Sequence, residues 1–478
     1  MIPTRALREA RLAVVEALLA AGVDPIAPAF ERAQLLDQLG RTEAARAAYL
    51  AVLTRDPGHA GALNALGQLL DRTGFHTAAR TVYERVVALH PDDPAGHGNL
   101  GTVLLDAGEI EAARRHYEIV LTLDPANVVA HQCLAILLLR LGDERAAAAH
   151  GEIGFRAGAS TWPFRGAGEP IDVLVVHSAR GGNVPIDRFI DDQTFAKSTI
   201  VAEFFTAALP PHAFVINAIG DASRCRDALR AAACFLRATS APVVNAPATV
   251  AATAREATAS ALAGVPGVVA SRTVTFSRAQ LRDPRAAETL AAAGFEWPVI
   301  VRAPGFQTGL HCNLVERPSE LAAAVAELPG EDALVIAFAD VRSPSDANVR
   351  KYRVMIVDGV IFPLHLAIAK HWMVHYFRAD TGEQPAYRAE EAAFLADLSG
   401  ALGTAAMTAL HAIAGRLALD YGGIDFALDA RGRVVVFEAN ATMIVPPAAA
   451  EREPYRRAAV ERIEQAVRGM LLARAGRS

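Results

Sequence analysis

Along the first third of the chain the same letters return at a fixed step of 34 residues. Gly40, Gly74, Gly108 and Gly142 form one column, and Ala45, Ala79, Ala113 and Ala147 a second. Tyr49, Tyr83 and Tyr117 form a third, Pro57, Pro91 and Pro125 a fourth, and Gly67 and Gly101 a further pair. Columns in phase restrict the fold severely. A unit this short cannot bury its own apolar face, so it must stack on copies of itself as a quasi-linear array of helical hairpins. Gly67, Gly101 and Ala79 let paired helices approach, the Tyr column fills the space between repeats, and each Pro ends one hairpin and begins the next. The repeats are expected over about 26–59, 60–93, 94–127 and 128–160, after a leading helix near 4–21. The last departs from the pattern, with Gly151 in the Tyr column and Ala159 in the Pro column, and is read as a cap against the next domain.

The period and its Leu-Gly, Ala, Tyr and Pro positions resemble the tetratricopeptide repeat. That resemblance implies an all-α solenoid over 1–160 with a peptide or protein partner on its concave face. Asn64, Gln68, Asp71, Arg72, Thr102, Asp106, Gln132 and Arg140 would line that face, although most of them read equally well as solvated polar positions. The Lys-rich clamp of chaperone-binding relatives is not visible.

A chain of 478 residues holds two or three domains, and a net charge of −5 gives no reason to expect nucleic acid. Cys133, Cys225, Cys234 and Cys312 are scattered without a CxxC pair, so neither a disulfide framework nor a zinc site is signalled and a reducing, cytoplasmic setting is expected. Arg5, Arg8 and Arg11 precede an apolar run that Glu16 breaks, and no targeting segment is expected. No uninterrupted stretch of about twenty apolar residues points to a membrane span. The 47 basic residues include only three lysines, Lys197, Lys351 and Lys370, so a retained lysine is more informative here than an arginine.

The stretch 155–170 is aperiodic and punctuated by Gly and Pro, and reads as a domain boundary. After it come IDVLVVHS, a buried strand candidate, and ARGGNVP, a turn that fits neither a dinucleotide fingerprint nor a phosphate-binding P-loop. FVINAI and APVVNAP, alternating with helical runs, suggest an α/β domain over 170–247.

Near the end, GGIDFALDARGRVVVFEANATM reads as a β-hairpin: two strand-forming runs around DARG. With a tight turn at 429–432, Leu428 opposes Arg433 and Asp425 opposes Val436. Side chains alternate along a strand, so Asp425 then shares one face with Val436, Glu438 and Asn440. The other face is Ile424, Phe426, Leu428, Val435, Phe437 and Ala439. Converging acids are costly unless a positive charge sits between them, and two carboxylates with an amide oxygen suit a hard cation. A solvated face with incidental acids is the competing reading, and a one-residue bulge would change which groups converge.

Four more pieces precede this hairpin: VVNAPATVAATAREATASALAGVPGVVASRT, WPVIVRAPGFQTGLHCNLV, ALVIAFAD and RKYRVMIVDGVIF. In that order, over roughly 172–472, they resemble an ATP-grasp ligase, the fold of D-alanine–D-alanine ligase, glutathione synthetase and the peptide-tail glutamate ligases. The resemblance implies an ATP-grasp domain over 248–472, α/β followed by α+β, with subdomains of about 248–330 and 341–472. Arg255 and Arg302 stand where the family usually has lysines, and Gly305 and Gly309 give the phosphate-covering loop its freedom. Ala337 and Phe338 lie on the strand that reads adenine through its backbone, Ala337 replacing an acid that many relatives carry, and Asp340 is placed at the ribose. Arg353 matches an arginine at the phosphoryl or substrate end. Asp425, Glu438 and Asn440 match the acid and the Glu-x-Asn, thirteen residues on, that hold Mg²⁺ (Mn²⁺ as a substitute). Lys370, in LAIAKHWMVHYF, is a candidate to face the acyl phosphate; Lys351, His371 and His375 are further candidates for the site, Trp372 is read as packing, and Cys312 as an apolar filler. The implied activity is an ATP-dependent carboxylate–amine ligase acting through an acylphosphate, on a peptide or protein presented by the repeats. A non-catalytic repeat scaffold with a vestigial nucleotide domain, and a small-molecule phosphotransferase, are the alternatives.

Overall fold

A computed structural model describes residues 5–22, 26–306, 309–374, 381, 384–446 and 454–477. They form two compact units, Met1–Leu174 with Ile190–His212, and Val175–Phe189 with Ala213–Ser478.

The first unit opens with α1 (Arg5–Ala20) and α2 (Ile26–Gln38), then α3 (Thr42–Arg55), α4 (Ala60–Arg72), α5 (His76–Leu89), α6 (Pro94–Asp106), α7 (Ile110–Leu123), α8 (Val128–Leu141) and α9 (Glu144–Gly154). Each hairpin closes on a glycine of the 34-residue column, with φ between 73° and 86° at Gly40, Gly74, Gly108 and Gly142, the left-handed conformation that ends a helix most cheaply without a Cβ. Tyr49, Tyr83 and Tyr117 are almost fully buried. A Cβ on Gly67 would lie 2.4 Å from the Tyr83 ring, so the Gly and Tyr columns are one packing device. In the fourth repeat the Tyr position is Gly151, and the ring that fills its place is Phe204, 2.6 Å from where a Gly151 Cβ would stand and stacked on Phe155 at 4.9 Å.

Two histidine pairs recur with the repeat. His97 Nε2 meets the Pro91 carbonyl at 2.9 Å and its Nδ1 meets His116 Nδ1 at 2.9 Å; His131, Pro125 and His150 repeat the arrangement at 3.1 and 2.8 Å. A carbonyl only accepts, so His97 and His131 carry their protons on Nε2 and accept at Nδ1 from the second ring. Beyond the repeats, β1 (Ser160–Thr161) pairs antiparallel with a strand over Phe195–Val201. Residues 190–212 belong to the same compact unit as the repeats, which runs on past the stretch 155–170 to Leu174.

β2 (Ile171–His177) carries the division between units at Leu174. β3 (Phe195–Val201) belongs to the first unit; the second continues through β4 (Phe214–Asn217), α10 (Arg226–Phe235), β5 (Val243–Val244), α11 (Pro247–Ala251), α12 (Arg255–Leu262) and β6 (Val268–Ala270). Next come β7 (Thr273–Ser277), α13 (Arg278–Arg282), α14 (Ala286–Ala292), β8 (Val299–Arg302), β9 (Cys312–Val315), α15 (Leu321–Ala326) and β10 (Asp332–Ala337). These build a four-stranded sheet of order β7-β10-β8-β9 over a core of Leu281, Leu290, Val299, Val301, Val325 and Val335.

The second sheet comes from β11 (Val349–Val357) and β12 (Val360–Ala369), then, after α16 (Pro385–Ala396) and α17 (Leu398–Leu417), from β13 (Tyr421–Leu428) and β14 (Val434–Asn440), with α18 (Arg457–Arg474) at the end. Its order is β12-β11-β13-β14-β6, the last pair parallel. Asn245, at φ 55°, clips this sheet to the chain before Arg255: its amide exchanges hydrogen bonds with the Tyr421 backbone at 2.7 and 3.0 Å. Buried Glu391 accepts from Arg456 and Tyr455 and from the Leu366 backbone, fastening α16 to β12. Among the described residues one helix, α17, has by length and composition alone what a membrane crossing needs, although His411 and Arg416 interrupt its apolar run. Gly403 (φ 78°, ψ 164°) breaks it, however, and Leu410, Ile413 and Leu417 are buried within this unit.

Candidate functional site

Between these two sheets lies a cavity of about 770 Å³. β8, β9 and β10 supply one wall, through Ile300, Arg302, Cys312, Leu314 and Ile336; β14 supplies the other, through Val436, Phe437, Glu438 and Asn440. Arg255 enters from the first turn of α12, and Lys351, Lys370, His371 and Trp372 also line the space.

Of the residues singled out in the sequence, Arg255, Arg302, Ala337, Phe338, Asp340, Lys370, Glu438 and Asn440 line this cavity. Gly305, Gly309, Arg353 and Asp425 do not. His375 lies outside the described residues.

The hairpin register differs from the expected one. Leu428 pairs with Val434, not Arg433, because the loop runs over 429–433, with Asp429 Oδ1 accepting from the Arg431 and Arg433 amides at 2.9 Å each. A bulge then follows between Asp425 and Phe426, and Asp425 stands opposite Glu438 instead of Val436. The extra residue is Phe437, which leaves the apolar face assigned to it and is 36 % exposed at the cavity. The two carboxylates are thus brought directly opposite each other, closer than the unbulged register would place them.

Asp425 is fully buried and both its oxygens are engaged. Arg353 donates from Nε to Oδ1 at 2.5 Å and from Nη2 to Oδ2 at 2.8 Å, and Lys351 Nζ lies 2.6 Å from Oδ2. Burial alone would push this carboxyl up, but Lys351 and Arg353 together hold it well below the usual carboxylate range. Burial likewise opposes the charge on Glu438, and Arg255, at 2.8 Å, outweighs it and lowers the pKa. Asn440 donates to Glu438 at 2.8 Å, while its own oxygen accepts from the Thr442 amide and hydroxyl. Arg353, expected at the substrate end, instead forms this buried ion pair, because β11 pairs Arg353 directly with Asp425. Lys351 is on the same strand face two residues earlier, a period-2 signal that RKYRV carries.

Arg302 donates from Nη2 to the Phe306 carbonyl, and its Nε is buried without a hydrogen-bond partner. Burial, and then Arg255 nearby, lower its pKa. An orphaned donor of a guanidinium, beside a second arginine, suits an anion entering the cavity. Gly305 and Gly309, at φ 78° and 74°, shape the loop between β8 and β9, which Arg224 holds through the Gly305 carbonyl at 3.0 Å; no sequence signal pointed to Arg224. Burial raises the Cys312 thiol. Asp340 is paired to Arg342, at 2.9 Å and 2.5 Å, and the Ala337 N–H already donates to the Arg272 carbonyl at 2.9 Å. Phe338 meets Trp372 edge-on with centroids 6.3 Å apart.

The donor set of Asp425, Glu438 and Asn440 is all oxygen, the chemistry a hard divalent cation would take once Lys351 and Arg255 left it for another anion. Among the described residues no group of three or more His, Cys, Asp and Glu is placed to hold a metal ion.

Fold and site together define a two-part protein, a helical repeat solenoid followed by a mixed α/β region with a cation-lined cavity. The tetratricopeptide repeat model matches residues 30–94 and 99–158, so the N-terminal region carries tetratricopeptide repeats; that match ends before the second unit begins. Among solved structures, MamA 41-end from Desulfovibrio magneticus RS-1 is 25 % identical over 30 % of this chain and 82 % of that one, with a TM-score of 0.28. A MamA RS-1 double mutant is 24 % identical over 32 % of this chain and 85 % of that one, with a TM-score of 0.29. A thermophilic tetratricopeptide repeat protein of Thermus thermophilus is 21 % identical over 32 % and 83 %, with a TM-score of 0.28. No curated protein matches the chain.

Proposed function

We propose that the second unit is an ATP- and Mg²⁺-dependent carboxylate–amine ligase of the ATP-grasp kind, acting through an acylphosphate, and that the repeats engage a peptide or protein. The observation that carries this reading is one cavity of about 770 Å³ lined both by Arg255, Arg302, Lys351 and Lys370 and by Glu438 and Asn440. That size is within the usual range for small-molecule sites, and the mix of cations and oxygen donors is what a metal-bound polyphosphate needs.

Asp425, Glu438 and Asn440 would hold Mg²⁺, which when bound neutralises phosphate charge. Arg255 and Arg302 bind phosphate oxygens, the orphaned Arg302 Nε gaining a partner. Ile300, Leu314 and Ile336 offer an apolar bed for the purine. Lys370 orients the acceptor carboxylate and draws off charge as the γ-phosphoryl moves to it, while Arg353 fixes Asp425 in place. The loop carrying Gly305 and Gly309 keeps water from the acylphosphate until an amine attacks.

A second reading is a non-catalytic repeat scaffold with a vestigial nucleotide-binding region. Two observations favour it: the family match covers the repeats alone, and both oxygens of Asp425 are engaged by cations. Calorimetry on the full chain, with a non-hydrolysable ATP analogue and Mg²⁺, separates the two. The ligase reading expects Mg²⁺-dependent binding that Glu438→Ala removes, followed by a condensation product in mass spectrometry when acids and amines are supplied with ATP. Absence of analogue binding by the wild type would overturn it. A phosphorylated small molecule in place of a condensation product would replace ligation with phosphotransfer.

A further inference from the structure

The cations around the paired carboxylates are arranged as a shared set. Lys351 and Arg353 sit on Asp425, and Arg255 sits on Glu438 at 2.8 Å, while Arg255 and Lys351 also line the cavity. In this arrangement a lone divalent cation meets oxygens that are already neutralised, and entering among three positive groups is electrostatically unfavourable. A triphosphate arriving with the metal changes the balance, because its oxygens accept the displaced side chains.

We propose that Lys351, together with Arg255, makes metal and nucleotide binding mutually dependent: each swings from a carboxylate to phosphate as the metal takes its place, so the site refuses free metal. The proposal rests on the nucleotide reading of this cavity and assigns Lys351 the role of a counter-ion gate. Geometry favours Lys351 as the mobile member. Its single point charge on a flexible stem reaches both Asp425 and the cavity, whereas Arg353 holds Asp425 through two parallel bonds and does not line the cavity. The dependence is reciprocal by linkage, so the metal raises nucleotide affinity by the factor by which nucleotide raises metal affinity.

The test uses Mn²⁺ and a non-hydrolysable ATP analogue on the full chain. Electron paramagnetic resonance reads free Mn²⁺ directly, and calorimetry reads the analogue. The wild type is expected to leave the free Mn²⁺ signal unchanged without analogue, and to bind Mn²⁺ and analogue together. Lys351→Met is expected to bind Mn²⁺ alone at least about tenfold more tightly than the wild type, within the usual span of site-to-site coupling. Lys351→Gln serves where the Met variant fails to fold, with circular dichroism as the check. If the wild type binds free Mn²⁺ as tightly as the folded Lys351 variant while still binding the analogue, the gate is refuted and the nucleotide reading stands. If the wild type binds no analogue with Mn²⁺ present, the nucleotide reading falls and the gate with it.

Discussion

Replacing Asp425 by Asn tests the buried charge cluster that it forms with Lys351 and Arg353. The amide keeps the shape of the carboxylate but leaves Lys351 and Arg353 facing each other without their counter-ion. Removing one partner of a buried ion pair costs about 3–5 kcal/mol, and because the two cations retain 20 % and 24 % exposure the lower end, about 3 kcal/mol, applies. With a urea dependence near the top of the range for small proteins, about 3 kcal/mol per molar, the unfolding midpoint should fall by about 1 M. Trp297 and Trp372 report on this unit by fluorescence in a Trp162→Phe background, since Trp162 belongs to the first unit. Adding Lys351→Met removes one orphaned charge and should recover about half of the loss. The pH dependence is set by the sign of the shift. Asp425 has a folded pKa far below its unfolded one, so its contribution is full above about pH 5 and declines below about pH 4 as the unfolded chain takes up the proton first. The gap between wild type and Asp425→Asn should therefore narrow from pH 6 to pH 3. A midpoint shift below about 0.3 M at pH 7, or a gap that widens on acidification, would refute the reasoning.

In the repeats, Gly67→Ala should lower the melting temperature, because its Cβ would lie 2.4 Å from the Tyr83 ring, an overpacking cost of about 1–3 kcal/mol. Gly98→Ala, with its nearest neighbour at 3.9 Å, should leave stability unchanged or raise it by up to about 1 kcal/mol, and equal melting shifts for the two would sink the packing argument. Burial, and then the neighbouring ring, push His116 and His150 below the usual imidazole range; the unfolded chain binds these protons more readily, so stability should fall as pH drops from about 6.5 to 5. A His116→Gln, His150→Gln double variant should lose most of that dependence in thermal melts, and an unchanged profile would assign it elsewhere.

Much of the architecture of the first unit is legible in the sequence because its contacts are local and repeated. A helix packing on its neighbour 34 residues away leaves a Gly, Ala, Tyr or Pro at a fixed place, and the same contact printed several times becomes a column. The fourth repeat shows the limit. Gly151 announces a missing ring, but Phe204, which supplies it, comes from a segment that no local pattern ties to the repeats. The hairpin behaves similarly. Its two strands and the three oxygen-bearing side chains follow from residue type and period, and so does the face shared by Lys351 and Arg353. Its register does not, because a loop one residue longer than expected and then one bulged residue each shift the pairings beyond them: Phe437 moves to the cavity and Asp425 comes opposite Glu438. Tertiary structure alone decided which charges meet. The pairing of β11 with β13 placed two cations on Asp425, and the start of α12 placed Arg255 on Glu438. Charge energetics depends on distance and burial, which the chain acquires only once strands far apart in sequence lie side by side.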